Sequence, residues 1–240
     1  MHEQNSFTKG IKDGLPICFG YLSVAFAFGI FSVESGLSIL QALLISMTNV
    51  TSAGQLAAVP IIMCGGSLFE LAVSQLVINL RYALMSVSLS QKLGTTINGL
   101  DRFAIAFMNT DEVFAVSSGN RGYVGKKYMY GLILPPFLGW STGTFLGAGA
   151  GNILPAIITS ALGIAIYAMF VAIVVPALSK QKSTLICVLI AVALSCIFNF
   201  IPVLNKIQGG FIIIICATVA SVLMAIISPI EIKEEGIKNE

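Results

Sequence analysis

A dense polar cluster interrupts one of the most apolar stretches of this chain. Ser46–Gln55 reads SMTNVTSAGQ, a run without charge inside an apolar segment that extends from near Leu37 to near Cys64. A soluble protein places such a cluster in a loop. Within a membrane, interrupted backbone is tolerated only against protein or beside a water-filled cavity, and there it marks a binding site. Composition decides between the two settings. Of 240 residues, 56% are hydrophobic and 10% are charged, whereas soluble domains carry roughly 25% charged residues. The chain therefore reads as an all-α polytopic membrane protein. Its formal net charge of +2, with no Lys/Arg-rich run, excludes nucleic acid as a partner. His2 is the single histidine, which rules out histidine metal sites and Ser-His-Asp chemistry; no cofactor is expected. The five cysteines are scattered without a CxxC and read as small packing residues.

A bilayer core takes about 20 apolar residues of helix. Eight segments qualify or come close: Gly14–Phe31, Leu37–Met63, Leu68–Leu89, Phe103–Ser117, Tyr128–Ala150, Leu154–Leu178, Thr184–Ile201 and Gly210–Ser228. Residues 1–13 read as a cytoplasmic segment, 14–228 as one transmembrane domain and 229–240 as a cytoplasmic tail. Pro16 is expected in the first turn of the first span, where its missing N–H costs nothing. Pro60 is expected to close the second. Either all eight segments cross, or Leu37–Met63 and Phe103–Ser117 dip in and return, leaving six crossings. Both arrangements keep the two termini in the cytoplasm under the positive-inside rule. The re-entrant one also brings Lys92 and Arg102 inside, and it accounts for the shortness of Phe103–Ser117.

An internal repeat is suggested between residues 14–90 and 133–208. Leu15-Pro16 followed by Gly20-Tyr21 recurs as Leu134-Pro135 followed by Gly139-Trp140. Ala58-Val59-Pro60-Ile61 recurs as Val174-Val175-Pro176-Ala177, and Ile78-Asn79-Leu80 as Phe198-Asn199-Phe200. Many secondary transporters are duplicated and hold their site at the repeat interface.

Three polar features carry chemistry. Asn49, Thr51, Ser52, Gly54 and Gln55 read as an unwound segment followed by a half-helix starting near Thr51 or Ser52. Their density, the glycine and the following Pro60 set them apart from isolated polar residues that merely hold helices together. The free N–H groups and positive dipole end of such a half-helix suit a carboxylate. Arg81 lies deep in Leu68–Leu89. Centring an arginine in a membrane costs at least ~2.5–3.5 kcal/mol, so its guanidinium is expected to be buried against a cavity or an acid. Glu70, Ser74 and Arg81 fall on one helical face, with Gln75 and Asn79 beside them. An ion pair, a substrate contact and snorkelling to the boundary all fit. Asp111-Glu112 offers a carboxylate able to take up a proton when desolvated; with Asn109-Thr110 before it, the pair also fits a helix cap. Gly143, Gly147, Gly149 and Gly151 lack the strand of a nucleotide fold and read as close helix packing.

Four motifs in order resemble the AzlC family, the large subunit of two-component branched-chain amino acid exporters. They are Gly14-Leu15-Pro16 with Gly20, Ser52-Ala53-Gly54-Gln55-Leu56-Ala57, Asn79-Leu80-Arg81-Tyr82 with Ala83-Leu84-Met85, and Asn109-Thr110-Asp111-Glu112-Val113-Phe114-Ala115. The resemblance spans nearly the whole chain. It departs at Tyr82, where a histidine is frequent, and at Gly54-Gln55, where the family often reads Ala-Gly-Ala-Ala-Gln. It implies a secondary transporter of a bacterial inner membrane, exporting Leu, Ile and Val, with Met as a further candidate, on a proton gradient. It also implies a small AzlD-type membrane subunit of about four spans as partner. The Gly143–Gly151 stretch is the expected docking face. Substrate binding is expected of Asn49, Thr51, Ser52, Gly54, Gln55 and Asn79, and coupling or ion pairing of Arg81, Asp111 and Glu112. Two other classes fit the composition: an intramembrane enzyme using Asp111 or Glu112, and an accessory subunit that binds no solute.

Overall fold

The computed structural model describes residues 6–120, 122–151, 171, 175, 182–201, 204, 207 and 209–228. These residues form helices: α1 (Phe7–Glu34), α2 (Ile39–Thr48), α3 (Ser52–Met63), α4 (Leu68–Ser90), α5 (Gly99–Phe107), α6 (Asp111–Gly119), α7 (Lys126–Gly151), α8 (Lys182–Phe200) and α9 (Gly209–Ile227). Among them α1, α4, α8 and α9 are long and apolar enough to cross a membrane. The expected span Leu154–Leu178 and the tail from Pro229 lie outside the described residues. The chain divides into two compact units, Met1–Phe170 and Val171–Glu240. In the second unit α8 and α9 pack together; the first holds α1 to α7.

Local chemistry sets most of the helix starts in the first unit. Ser6, Ser38, Thr51, Ser67, Asn98 and Thr110 each cap a helix by accepting a backbone N–H, which satisfies a donor the helix cannot. The cap at Ser6 starts α1 at Phe7, ahead of the expected Gly14. Pro16 therefore lies inside α1 rather than in its first turn. Pro60 likewise sits within α3, which runs on to Met63. Phe103–Ser117 is not one segment: Asn109 and Thr110 interrupt it between α5 and α6.

The frame of the first unit is α1 against α7. Gly10 and Gly14 of α1 lie against the backbone around Tyr128 and Leu132, and Gly29 against Thr144 and Ala148. From the other side, Gly131, Gly139, Gly143 and Gly147 lie against Phe7, Cys18, Leu22 and Phe26. At each of these glycines a Cβ would overlap the partner backbone, so the axes approach as only small residues allow. Position numbers rise together on both helices, so the two run parallel. Cys18 sits beside Gly139, 121 positions on, and Gly14 beside Leu132, 118 positions on. That register is close to the spacing of the Leu-Pro/Gly-aromatic echo. Gly143 and Gly147 are thus covered by α1, whereas Gly149 of the same stretch has nothing within contact range.

The other helices follow from where the loops meet. Val124 N–H donates to Lys92 O at 3.0 Å and Gly94 N–H to Val124 O at 2.9 Å. The Lys92 ammonium donates to Ser118 O, and to Asn120 O at 2.7 Å. Lys9 Nζ reaches Asn120 Oδ1 at 3.1 Å, and Lys126 pairs with Asp101 at 2.9 Å. The ends of α4 and α6 and the starts of α1, α5 and α7 therefore share one end of the unit, which we call the basic end. Since α5 starts there and α6 finishes there, this pair enters and returns. At the opposite end Gly36, before α2, abuts Met63, which closes α3, so α2–α3 also returns to where it began. At 1.5 Å per residue, half-helices of 9–12 residues reach about half-way through a ~30 Å hydrocarbon core. Each pair thus returns to the end at which it starts, the shape that the re-entrant arrangement expects.

Overpacking the seam tests it. Gly147→Val is expected to cost about 1–3 kcal/mol and to lower the thermal midpoint of the detergent-purified chain by several degrees. Gly149→Val, with no atom within contact range on the same helix, is expected to leave the midpoint unchanged in the same scanning measurement.

Candidate functional site

The tips of the two re-entrant pairs face each other inside the first unit. A cavity of about 160 Å³ lies between them, lined by Thr48, Asn49, Val50 and Thr51 from the first break and by Ala106, Phe107, Asn109 and Thr110 from the second. Asn79 and Tyr82 of α4 complete the wall. Drug-sized ligands take pockets of roughly 300–1,000 Å³, so this one suits a small solute. A larger groove of about 490 Å³, lined by Phe103, Phe107, Phe137 and other apolar residues, carries no polar side chain but Tyr130 and cannot orient a polar solute.

The breaks are pinned from both sides. Val50, Met108 and Val113 are buried in one core with Tyr21, Trp140 and Leu132. On the polar side, Gln75 of α4 is a hub. Its Oε1 accepts from Asn49 Nδ2 at 3.0 Å and Asn79 Nδ2 at 3.1 Å, and its Nε2 donates to Gly54 O at 2.8 Å. Thr51 Oγ1 donates to Asn79 Oδ1 at 2.9 Å and accepts from Gly54 N–H. A Cβ on Gly54 would lie 2.5 Å from Gln75 Oε1, which explains a glycine at this position. Across the cavity, Asn109 Nδ2 donates to Ser86 Oγ at 3.0 Å, while its buried Oδ1 has no partner among the described residues.

The expected half-helix start is where it should be: Thr51 caps α3 and Ser52 begins it. Asn49, Thr51 and Asn79 line the cavity; Ser52, Gly54 and Gln55 do not. Gly54 acts through its carbonyl and its lack of a side chain. Gln55 is fully buried, with both amide atoms unpartnered among the described residues.

Arg81 departs from expectation. Its side chain keeps 56% exposure rather than being buried. Glu70 and Ser74, on the same face, are buried, but α3 begins beside Gln75 and Asn79 and leaves α4 uncovered beyond them. Asp111 Oδ2 meets the Arg81 guanidinium at 2.9 Å, and the Tyr82 ring lies beneath it at 4.9 Å. Asp111 and Glu112 occupy the first turn of α6 behind the Thr110 cap, which suits their charge to the helix dipole. Glu112, on the next helical position, is exposed and accepts the Tyr21 hydroxyl; Tyr21 stacks edge-on against Trp140 at 4.8 Å.

Gln75, Tyr82, Asn109 and Thr110 are site residues that the sequence reading left out. Their signal was present in part. Asn109-Thr110 before Asp111 mirrors Asn49-Val50-Thr51 before Ser52: an amide, then a capping threonine, then a helix.

Breaking the hub is expected to loosen the first tip. Gln75→Leu strands Asn49, Asn79 and the Gly54 carbonyl, at about 1–3 kcal/mol for a buried group left unsatisfied. The expected outcome is a lower thermal midpoint and faster amide exchange over residues 49–54, read by hydrogen-exchange mass spectrometry.

Comparisons with known proteins agree on the kind of molecule. A family model described as AzlC protein matches residues 16–154, which include both breaks and every cavity residue. The chain is 28% identical over 229 residues to the inner membrane protein YgaZ of Escherichia coli (strain K12), covering 92% of this chain and 91% of that one. It is 32% identical over 177 residues to an uncharacterized membrane protein of Archaeoglobus fulgidus, covering 73% and 77%. An uncharacterized membrane protein of Helicobacter pylori (strain 26695) is 28% identical over 159 residues, covering 63% and 68%. No solved structure matches the chain.

Proposed function

Because the chain belongs to the AzlC family of membrane proteins, we propose that it is the large subunit of a secondary transporter exporting branched-chain amino acids. The observation that carries this reading is the polar cavity between two helix breaks that enter from opposite ends. Broken helices at mid-depth supply free N–H groups and carbonyls to a solute while their outer halves stay in lipid. The two tips differ in charge. The first turn of α3 carries no acid, whereas α6 begins with Asp111 and Glu112. A zwitterion therefore places its carboxylate at the Thr51 end and its ammonium toward Thr110 and the α6 acids. Phe107 and Val50 supply apolar wall for a branched side chain; Leu, Ile and Val fit it, and Met is a further candidate.

Coupling falls to Glu112. Asp111 is neutralised by Arg81 at 2.9 Å, so protonating it would break an ion pair. Glu112 has the Tyr21 hydroxyl rather than a cation as its partner, which assigns the coupling role to it. Lys9, Lys92, Arg102 and Lys126 cluster at the basic end, and residues 35–67 at the opposite end carry no Lys or Arg. Under the positive-inside rule the basic end, and with it the N-terminus, faces the cytoplasm. The small AzlD-type subunit belongs to this reading as a partner of the assembled exporter in the bacterial inner membrane.

Counterflow of labelled leucine in proteoliposomes, with and without the small subunit, tests the proposal. Thr51→Ala and Asn79→Leu are each expected to remove about one hydrogen bond to the bound solute. At ~1–1.5 kcal/mol each is expected to raise the half-saturating leucine concentration about five- to tenfold. Glu112→Gln is expected to preserve leucine–leucine exchange and abolish uphill movement driven by a pH gradient. Normal saturation curves for both cavity variants, at normal expression, would place the binding site elsewhere.

A further inference from the structure

Beyond the cavity, toward the basic end, lies a second chamber of about 130 Å³ lined by Ser86, Ser90, Arg102 and Ile105 among others. Ala106 and Asn109 line both spaces. The wall they share is thus Ala106 and one buried amide, 2% exposed, and only the amide is held across the gap, to Ser86 Oγ at 3.0 Å. An amide whose only role was to tie α5 to α4 would have its oxygen satisfied as well. Asn109 Oδ1 is instead buried without a partner among the described residues, which costs its desolvation with nothing in return. Arg102 is exposed, and Ser90 lines the chamber with it.

We propose that the second chamber is the entry vestibule for the solute and that the Asn109–Ser86 hydrogen bond is the gate between vestibule and cavity. This rests on the carrier reading above. The vestibule takes a small zwitterion: the Arg102 guanidinium attracts its carboxylate, and Leu89, Leu93 and Ile105 accept its apolar side chain. Asn109 turns from Ser86 to the passing solute, offering the same donor and the oxygen that now lacks a partner. The gate costs one neutral hydrogen bond to open, which a solute's own polar groups replace. Asn109 acts as a positioning residue, since it controls access and carries no coupling charge.

Cysteine accessibility tests the gate without requiring transport. The background is the chain with Cys18, Cys64, Cys187, Cys196 and Cys216 changed to serine, reconstituted in sealed vesicles with the small subunit. A membrane-impermeant, negatively charged thiosulfonate is added at the face from which Ser90→Cys is labelled. Thr51→Cys is expected to react at least tenfold faster with Asn109→Ala than with Asn109 intact, while the Ser90→Cys rate stays the same in both. Ser86→Ala, which removes the hydrogen bond from the other partner, is expected to speed Thr51→Cys in the same direction and guards against misfolding of the Asn109 variant. Equal Thr51→Cys rates in all three backgrounds, fast or slow, overturn the gate. Wild-type leucine counterflow alongside equal rates would remove the gate and leave the carrier reading intact; loss of wild-type counterflow would remove the carrier reading itself.

Discussion

Every helix break in a hydrocarbon layer leaves backbone groups that lipid cannot satisfy. That constraint organises the first unit of this protein. At residues 49–51 the Thr51 hydroxyl answers the Gly54 N–H, and Gln75 of α4 holds the side chains of Asn49 and Asn79 and the Gly54 carbonyl at once. At residues 108–110 the Thr110 hydroxyl answers the start of α6, and Ser86 holds the Asn109 side chain. A single long helix, α4, thus serves both tips, with Asn79 at one and Ser86 two turns further at the other. The interval between those two levels is where Tyr82 lines the cavity. The same bonds that make the breaks tolerable therefore also fix the size of the space between them.

The apolar half of the solution is equally specific. Val50 and Met108, one within each break, are buried with Tyr21 and Trp140. Hydrophobic anchoring of the tips lets their polar groups point the other way, into the cavity. Arg81 is held by different means: an ion pair of half-exposed groups and an aromatic face. Exposed pairs contribute little to stability, so the Arg81–Asp111 pair is not what holds the fold.

Much of this architecture was legible in the sequence, for reasons that can be named. The break at Thr51 announced itself through density of polar residues, a glycine and a capping threonine. The glycines Gly143 and Gly147 read as close helix packing, and they meet the α1 backbone; the Leu-Pro and Gly-aromatic echo, read as a possible duplication, has a spacing close to the register of that seam. The break at Asn109 was read as a helix cap because only two polar residues precede the acids, too few to stand out against an apolar segment. Exposure of Arg81 could not be seen, since it depends on where α3 ends along α4, a tertiary fact with no periodic signature. The starts of α1 and α5 were placed late because hydropathy marks the edge of the lipid phase, whereas a capped helix extends past it.

The glycine seam has a mechanical meaning as well. Two helices locked backbone to backbone at seven glycines cannot slide along one another by even a fraction of a turn without steric collision. The seam therefore behaves as a stiff post, and any rearrangement of the first unit is left to the four short half-helices hung beside it. Because one pair hangs from each end, drawing back either tip would unseal a different side of the molecule. For the carrier proposed above, the two seals of an airlock would be separate pieces of one polypeptide set around one pillar.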